Sequence, residues 1–323
     1  MKISILLPYK ENFSPEYPGA VSIFLSSVIK KSKFKANITV FGSTVYKNTY
    51  SGIKYKNINI SKKIFGLGSQ TLKYINEFSK LEHKKPSDII EIHNRPIYVQ
   101  RLPLNKSKII LYFHNDPLSM NGSKSDIERI KLLELCAKIV FNSQWSKDRF
   151  LSDIDEIYIK STKLIVIRQS TDPQKVNINK KEKIITFVGK LNRAKGYDIF
   201  GSAIIKILNR FKDWKAIVIG DEEREKITFN HKRLEIMGFK KHNDVIKILK
   251  KTNIAVVCSR WQEPFGRTSL EASSCGCAVI ITNRGGLPET ITNGIILENL
   301  SKDNLYNSIN NLILNKKYRK ELQ

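Results

Sequence analysis

Short apolar runs rich in Ile and Val recur along the chain, and between them apolar residues return every three or four positions. Runs at Ile3–Leu7, Ile38–Gly42, Asp88–His93, Lys108–Phe113, Lys138–Ser143 and Lys163–Arg168 predict buried strands. The segments Ala20–Ile29, Thr71–Leu81, Ser125–Leu135 and Gln144–Leu151 have helical spacing. Residues 43–65 are irregular, rich in Lys and Asn, with short strand-like pieces. The rhythm then starts again. Lys183–Val188, Lys215–Ile219, Leu234–Phe239 (a short strand and turn), Asn253–Val257 and Ala278–Thr282 read as strands. Tyr197–Arg210, Lys240–Lys251, a segment reaching Cys275, and Asn304–Leu314 read as helices. Strands alternating with helices imply an α/β protein built on parallel, doubly wound sheets. The 323 residues exceed one core, so two domains are expected: 1–168, a linker at 169–179, and 180–323.

The chemistry concentrates near the end of the second half, in the stretch Cys258 to Ala272. It leaves a buried strand, passes through a loop with Pro264 and Gly266, and enters a helix that Gly266, Thr268 or Ser269 could cap. Glu263 lies in the loop and Glu271 about one turn into the helix, an E-x7-E spacing. Free amides and the positive dipole end at a helix start suit an anion. Carboxylates on either side of it suit the hydroxyls of neutral polyols, and a diphosphate between two sugars has that shape. Earlier, Gly189 and Gly196 frame three cations, Lys190, Arg193 and Lys195. These offer charge-assisted contacts to a diphosphate, or are solvated surface cations. In the first half two strands end alike, in His93-Asn94-Arg95-Pro96 and His114-Asn115-Asp116-Pro117. The C-terminal ends of parallel strands are where doubly wound folds bind ligands.

Three segments in order, the stretch from Cys258, Phe187 to Gly196, and Arg284-Gly285-Gly286-Leu287-Pro288-Glu289, resemble the donor-binding motifs of the family 4 retaining glycosyltransferases, the glycosyl transferases group 1. The resemblance covers roughly residues 184 to 300 strongly and the N-terminal half more loosely. It implies the GT-B architecture, two facing Rossmann-like doubly wound domains with a cleft between them. The first domain would bind acceptor and the second a nucleotide-diphospho-sugar. Carried over by residue, it implies that Glu271 accepts from ribose hydroxyls and Glu263 from the transferred sugar. Backbone amides from Phe265 through Gly266, Arg267 and Thr268 to Ser269 would touch sugar and phosphate. Lys190, Arg193 and Lys195 would meet the diphosphate, and Gly238 and Phe239 the base. Gly19, in Pro18-Gly19-Ala20, stands where the family has a glycine loop at the diphosphate; a plain tight turn is the other reading. His114 would lie close to the transferred sugar, and His93, Asn94 and Arg95 would serve the acceptor or brace their loop. The catalytic set is then His114, Glu263 and Lys195, acting by front-face transfer with retention, with no metal and no cofactor. A lipopolysaccharide or surface-polysaccharide role, a UDP- or GDP-sugar donor and a glycan or lipid-linked acceptor follow from the same resemblance. The chain departs from the family at Arg168 to Asp172, where an Asn-Gly is usual, and at Lys190, where Arg is usual. It stops at Gln323 near where family members continue with a further helix, as a clipped end or a short variant would.

Composition changes this picture little. The net charge of +26 favours anionic partners, but about 28 basic and 14 acidic residues fall in 1–168, so the excess is spread over both halves. Lys-rich composition and docking at an anionic membrane surface both remain open. Specific nucleic-acid binding is not expected, since no binding module or aromatic–basic repeat is present. Cys136, Cys258, Cys275 and Cys277 fit neither a disulfide framework nor a zinc site, which suits a reducing cytoplasm. No secretory leader and no run of about 20 apolar residues is visible, so a cytoplasmic protein, peripheral at the inner face of the plasma membrane, is expected. Asp153-Ile154-Asp155 has the D-x-D form of metal-dependent transferases but follows a helix, and reads as a solvated turn. Competing functions are a sugar phosphorylase or nucleotide-sugar hydrolase of the same fold, or a non-catalytic basic binder.

Overall fold

The computed structural model describes residues 1–60, 69–103 and 106–323. The sequence-based reading of 43–65 as irregular extends, at 61–65, outside the described residues. The chain divides into two compact units, Met1–Arg168 and Gln169–Gln323. In the first, the order is β1 (Ile3–Leu6), α1 (Ala20–Lys31), β2 (Ile38–Gly42), β3 (Lys54–Asn57), α2 (Gln70–Lys84), β4 (Ile89–His93), α3 (Pro96–Arg101) and β5 (Lys108–Phe113). It continues with α4 (Asp126–Leu135), β6 (Lys138–Phe141), α5 (Gln144–Leu151), α6 (Glu156–Ile159) and β7 (Leu164–Val166). The strands form one sheet in the order β3-β2-β1-β4-β5-β6-β7, all parallel.

The second unit holds β8 (Glu182–Val188), α7 (Tyr197–Arg210), β9 (Lys215–Ile219), β10 (Leu234–Ile236), α8 (His242–Lys251), β11 (Thr252–Val257) and α9 (Arg267–Ser274). It ends with β12 (Ala278–Thr282), β13 (Ile295–Leu297), α10 (Lys302–Leu314) and α11 (Lys316–Glu321). Its sheet runs β10-β9-β8-β11-β12-β13, again parallel throughout.

Each sheet is apolar on both faces because helices cover both. Alternate residues of one strand feed different cores: Leu6 packs with Phe41, Phe78 and Ile92, while Ile5 and Leu7 pack with Leu25 and Val40. Likewise Ala278 and Ile280 of β12 join one cluster, and Val279 and Ile281 the other. This is why the strands read as continuous apolar runs rather than as alternating ones. The four cysteines are buried and unpaired within these cores and turns. Among the described residues no helix is long and apolar enough to cross a membrane.

The structure corrects several expectations. α9 is capped by Gly266 in the left-handed region, so Thr268 and Ser269 lie inside the helix and do not cap it. α8 begins at His242, after Lys240 and Lys241, and β7 is shorter than the run Lys163–Arg168. The helix Pro96–Arg101 was not expected; Pro96 stands at its first turn, where its missing N–H costs nothing. β13 and α11 were also missed. Asp153 and Asp155 are exposed, and Asp155 caps α6 by accepting from Ile157 N–H at 3.1 Å.

Candidate active site

In both sheets the strand order reverses beside the first strand of the unit, at β1/β4 and at β8/β11. Ligands of doubly wound folds bind at the carboxyl ends of the strands flanking that reversal. In the second unit these ends lead into the two segments richest in candidate chemistry, 189–196 and 258–266.

The two segments are clasped together. The carbonyl of Ala194 accepts from Arg260 N–H at 2.9 Å, Trp261 N–H at 3.0 Å and the Ser259 hydroxyl at 3.1 Å. Arg260 binds Asp198 bidentately, at 2.6 and 2.8 Å, and donates to the Arg193 carbonyl at 2.7 Å. Burial opposes ionisation of Asp198, but Arg260 outweighs it and holds the carboxyl below its ordinary range. Gly196 caps α7 with φ 73°, and a Cβ there would overlap the Cys258 carbonyl, so this approach requires glycine. Asn192 turns the loop by accepting from Lys195 N–H at 3.0 Å.

Glu263 is buried and pairs with the Lys195 ammonium. Its backbone bridges Gly285, and its carbonyl accepts from Gly286 N–H at 2.7 Å. The Arg284–Glu289 loop is thus a backbone support for Glu263. Eight residues on, Glu271 is also buried, its Oε1 accepting from His242 Nε2 at 3.0 Å and from Arg267 at 3.0 Å. No hydrogen bond from a described residue reaches Oε2. Burial alone would raise the Glu271 pKa; the His242 hydrogen bond and the Arg267 charge outweigh it, so the group stays below its usual value, an anion. Between the two carboxylates lie Gly266 and the start of α9, whose first amides have no intrahelical partner.

Most of the expected donor residues therefore meet in one place, with differences. Lys195 is spent partly on Glu263. Lys190 is exposed and makes no ion pair with a described residue, and Arg193 is exposed. Ser269 is fully buried, its hydroxyl 2.7 Å from the Gly266 carbonyl and 2.6 Å from Thr290, so its side chain braces the turn. Phe265 is buried, Arg267 faces Glu271, and Thr268 is half-buried. Gly238 ends the β10 turn with its carbonyl accepting from Gly220 N–H at 3.0 Å, and Phe239 is exposed beside it. Sequence reasoning missed His242, Asp198, Arg260 and Asn192. Arg260 and Asp198 are 62 positions apart and His242 and Glu271 29, and nothing local announces such pairs.

In the first unit, His93 and His114 meet. His93 Nδ1 lies 2.8 Å from His114 Nε2, and His93 Nε2 lies 2.5 Å from Glu91 Oε1. Both imidazoles stack on Tyr112, with centroids at 5.3 and 4.6 Å, and Phe24 meets His114 edge-on. Burial, with Glu91 adding to it, pushes the Tyr112 phenol above its ordinary pKa, so it stays neutral. Asn94 has φ 58°, and its Oδ1 accepts from the amides of His114 and Asn115, both at 3.1 Å. Asn94 thus ties the end of β4 to the loop that follows β5. Arg95 donates to the Asn94 carbonyl at 2.7 Å. Gly19 caps α1, but the Glu11 carboxylate fills the space in front of it and accepts from Ser22 N–H at 3.0 Å. The helix start there is satisfied by a side chain of the protein itself.

Solved structures share this architecture over the whole chain. Anabaena HepE in complex with UDP and glucose superposes with a TM-score of 0.72, covering 100% of this chain and 92% of that one at 18% identity. The lipopolysaccharide outer core galactosyltransferase WaaB, in its apo form, does so at 0.68, covering 98% and 91% at 17% identity. At such identities the likeness establishes the fold, and the fold is GT-B. Residues 168–323 match the model of "Glycosyl transferases group 1". Spore coat protein SA of Bacillus subtilis is 25% identical over 359 residues, covering 100% of this chain and 92% of that protein. Residues 168–323 therefore form a group 1 glycosyltransferase domain.

Proposed function

We propose that the protein transfers a hexosyl group, with retention, from a UDP- or GDP-sugar to a glycan or lipid-linked acceptor of the cell surface, as in lipopolysaccharide or surface-polysaccharide synthesis. The observation that carries this is the pair of buried carboxylates, Glu263 and Glu271, set on either side of the start of α9, whose amides have no side-chain cap among the described residues. In this reading Glu271 Oε2 takes the ribose hydroxyls, while His242 and Arg267 hold Oε1 and keep the group ionised. Glu263 takes hydroxyls of the transferred sugar. The amides at the start of α9, with Lys190 and Lys195, stabilise charge that develops on the leaving diphosphate. With cations of the chain in that role, a metal ion is dispensable. His114 takes part in transfer, and the leaving phosphate assists attack on the same face. The UDP in the HepE complex and the lipopolysaccharide role in the WaaB name support this choice of donor and acceptor class. The reaction takes place on the cytoplasmic side, with the protein peripheral at the inner membrane face.

The test is a thermal-shift screen of UDP-, GDP-, ADP- and dTDP-sugars, with and without Mg²⁺. One nucleotide series is expected to stabilise the protein equally in both conditions, by roughly 2.7 kcal/mol at about 100 times its dissociation constant. Glu271→Ala is expected to weaken that ligand on the order of tenfold to hundredfold, as loss of hydrogen bonds to a charged group worth roughly 1.5–3 kcal/mol implies. A folded Glu271→Ala protein with unchanged affinity refutes the donor-site assignment. A product of inverted anomeric configuration refutes retention.

A further inference from the structure

The first unit carries an array that the donor site does not explain. Glu91 and His93 are two residues apart on β4, so their side chains leave the same face of the sheet. His93 is in register with Tyr112 on β5, and His114 is two residues beyond Tyr112. Two short patterns on neighbouring strands, Glu-x-His and Tyr-x-His, thus bring a carboxylate, two imidazoles and a phenol to one face at the C-terminal end of the sheet.

With Glu91 ionised and His93 neutral, the hydrogen bonds in this array fix where the protons sit. An ionised Glu91 carboxylate only accepts. His93 Nε2, 2.5 Å away, therefore carries a hydrogen and donates it. A neutral imidazole protonated on Nε2 has its lone pair on Nδ1. That Nδ1 lies 2.8 Å from His114 Nε2, which must then donate in turn. His114 is held as the Nε2–H tautomer, with Nδ1 as its acceptor nitrogen. The ring cannot easily turn to another arrangement. Tyr112 lies against its face, Phe24 meets it edge-on, Asn94 grips its backbone amide, and Asn142 donates to its carbonyl at 3.0 Å.

We infer that Glu91 and His93 are positioning residues that set the tautomer and ring orientation of His114. The inference rests on the reading that His114 takes part in transfer, because a fixed tautomer matters only where the other nitrogen has chemistry to do. Neither Glu91 nor His93 need touch substrate. They act through His114, as a buried acceptor orients an imidazole in other histidine sites.

The chain has five histidines, so ¹⁵N-histidine labelling of the full-length protein gives a small spectrum that single substitutions assign. Long-range ¹H–¹⁵N correlations are expected to show His114 protonated on Nε2 in the unaltered protein. His93→Phe, which removes the acceptor, is expected to leave His114 as a mixture of tautomers. An Nδ1–H His114 in the unaltered protein, or the same tautomer after His93→Phe, overturns the inference without any variant having to be active. The kinetic arm follows UDP release from UDP-glucose. Glu91→Gln, which keeps the side-chain shape, and His93→Phe are expected to lower kcat on the order of tenfold with KM within about twofold. Wild-type turnover in both, alongside an impaired His114→Ala, also overturns it. Unchanged turnover in His114→Ala itself, with the Nε2–H tautomer present, instead sinks the reading of His114 as a participant.

Discussion

Glu271 shows how a buried carboxylate stays charged. It is removed from water, yet His242 and Arg267 converge on one of its oxygens and hold its pKa down. A carboxyl depressed in the folded state contributes stability that is fully present above its unfolded value, about 4.3, and is lost as pH falls through the folded value. His242→Ala removes the first of the stabilising partners, so the folded value is expected to rise. Both the acid-side loss of stability and the loss of donor binding then begin at higher pH than in the unaltered protein. Carboxyl ¹³C titration of Glu271 in the two proteins checks the sign, and an unmoved midpoint would place the stabilisation on Arg267 alone. At this scale the sequence was informative where spacing carried the geometry. E-x7-E across a Gly-Pro loop marked both carboxylates, and the loop framed by Gly189 and Gly196 marked Lys195, which the structure pairs with Glu263. His242 left no such trace: it is the first residue of a helix 29 positions from its partner, and only the packing of α8 beside α9 brings the two together. Glu91 was different. An acid two before a histidine on a strand shares its face, and that signal stood in the sequence unread.

Elements make the loops rigid. The segment after β8 and the segment after β11 are joined by the Ala194 carbonyl, the Arg260–Asp198 pair, the Arg260 bond to the Arg193 carbonyl and the Lys195–Glu263 pair. Both charged side chains are partly exposed, so their coupling in folding stability is expected to be modest, about 0.5–1 kcal/mol in a double-mutant cycle of Arg260→Ala and Asp198→Asn. The larger expected effect is on donor affinity, because the loops would lose their common frame. Chemical denaturation and ligand titration of the same three variants separate the two, and an affinity unchanged in all of them would show that the other bonds between the loops suffice. The strands were legible because sheets covered on both faces need unbroken apolar runs. What escaped was short or locally atypical: a three-residue β13 after Gly294, a helix opening on Pro96, and a helix start set by the left-handed backbone of Gly266 instead of a hydroxyl cap.

At the scale of the whole molecule, two similar sheets carry different chemistry at their carboxyl ends. One end holds paired acids and cations, the other a stacked histidine array. The excess positive charge belongs to neither alone, since both halves are basic. A surface of that kind is expected to bind vesicles rich in phosphatidylglycerol at low ionic strength and to release them as salt shortens the Debye length from about 30 Å to about 3 Å. Cosedimentation across a salt series reads this directly. Equal binding to neutral vesicles would mean that charge is not the cause.

The buried cysteines have a practical consequence. Burial pushes the thiols of Cys136, Cys258 and Cys277 up to about 12 and raises that of Cys275, so at neutral pH almost none is present as the reactive thiolate. Toward maleimide dyes the native fold therefore behaves as a cysteine-free scaffold. One cysteine engineered on the surface of each unit would take a fluorophore pair with the natural thiols left in place, and the distance between the units could be followed by energy transfer as donor is added.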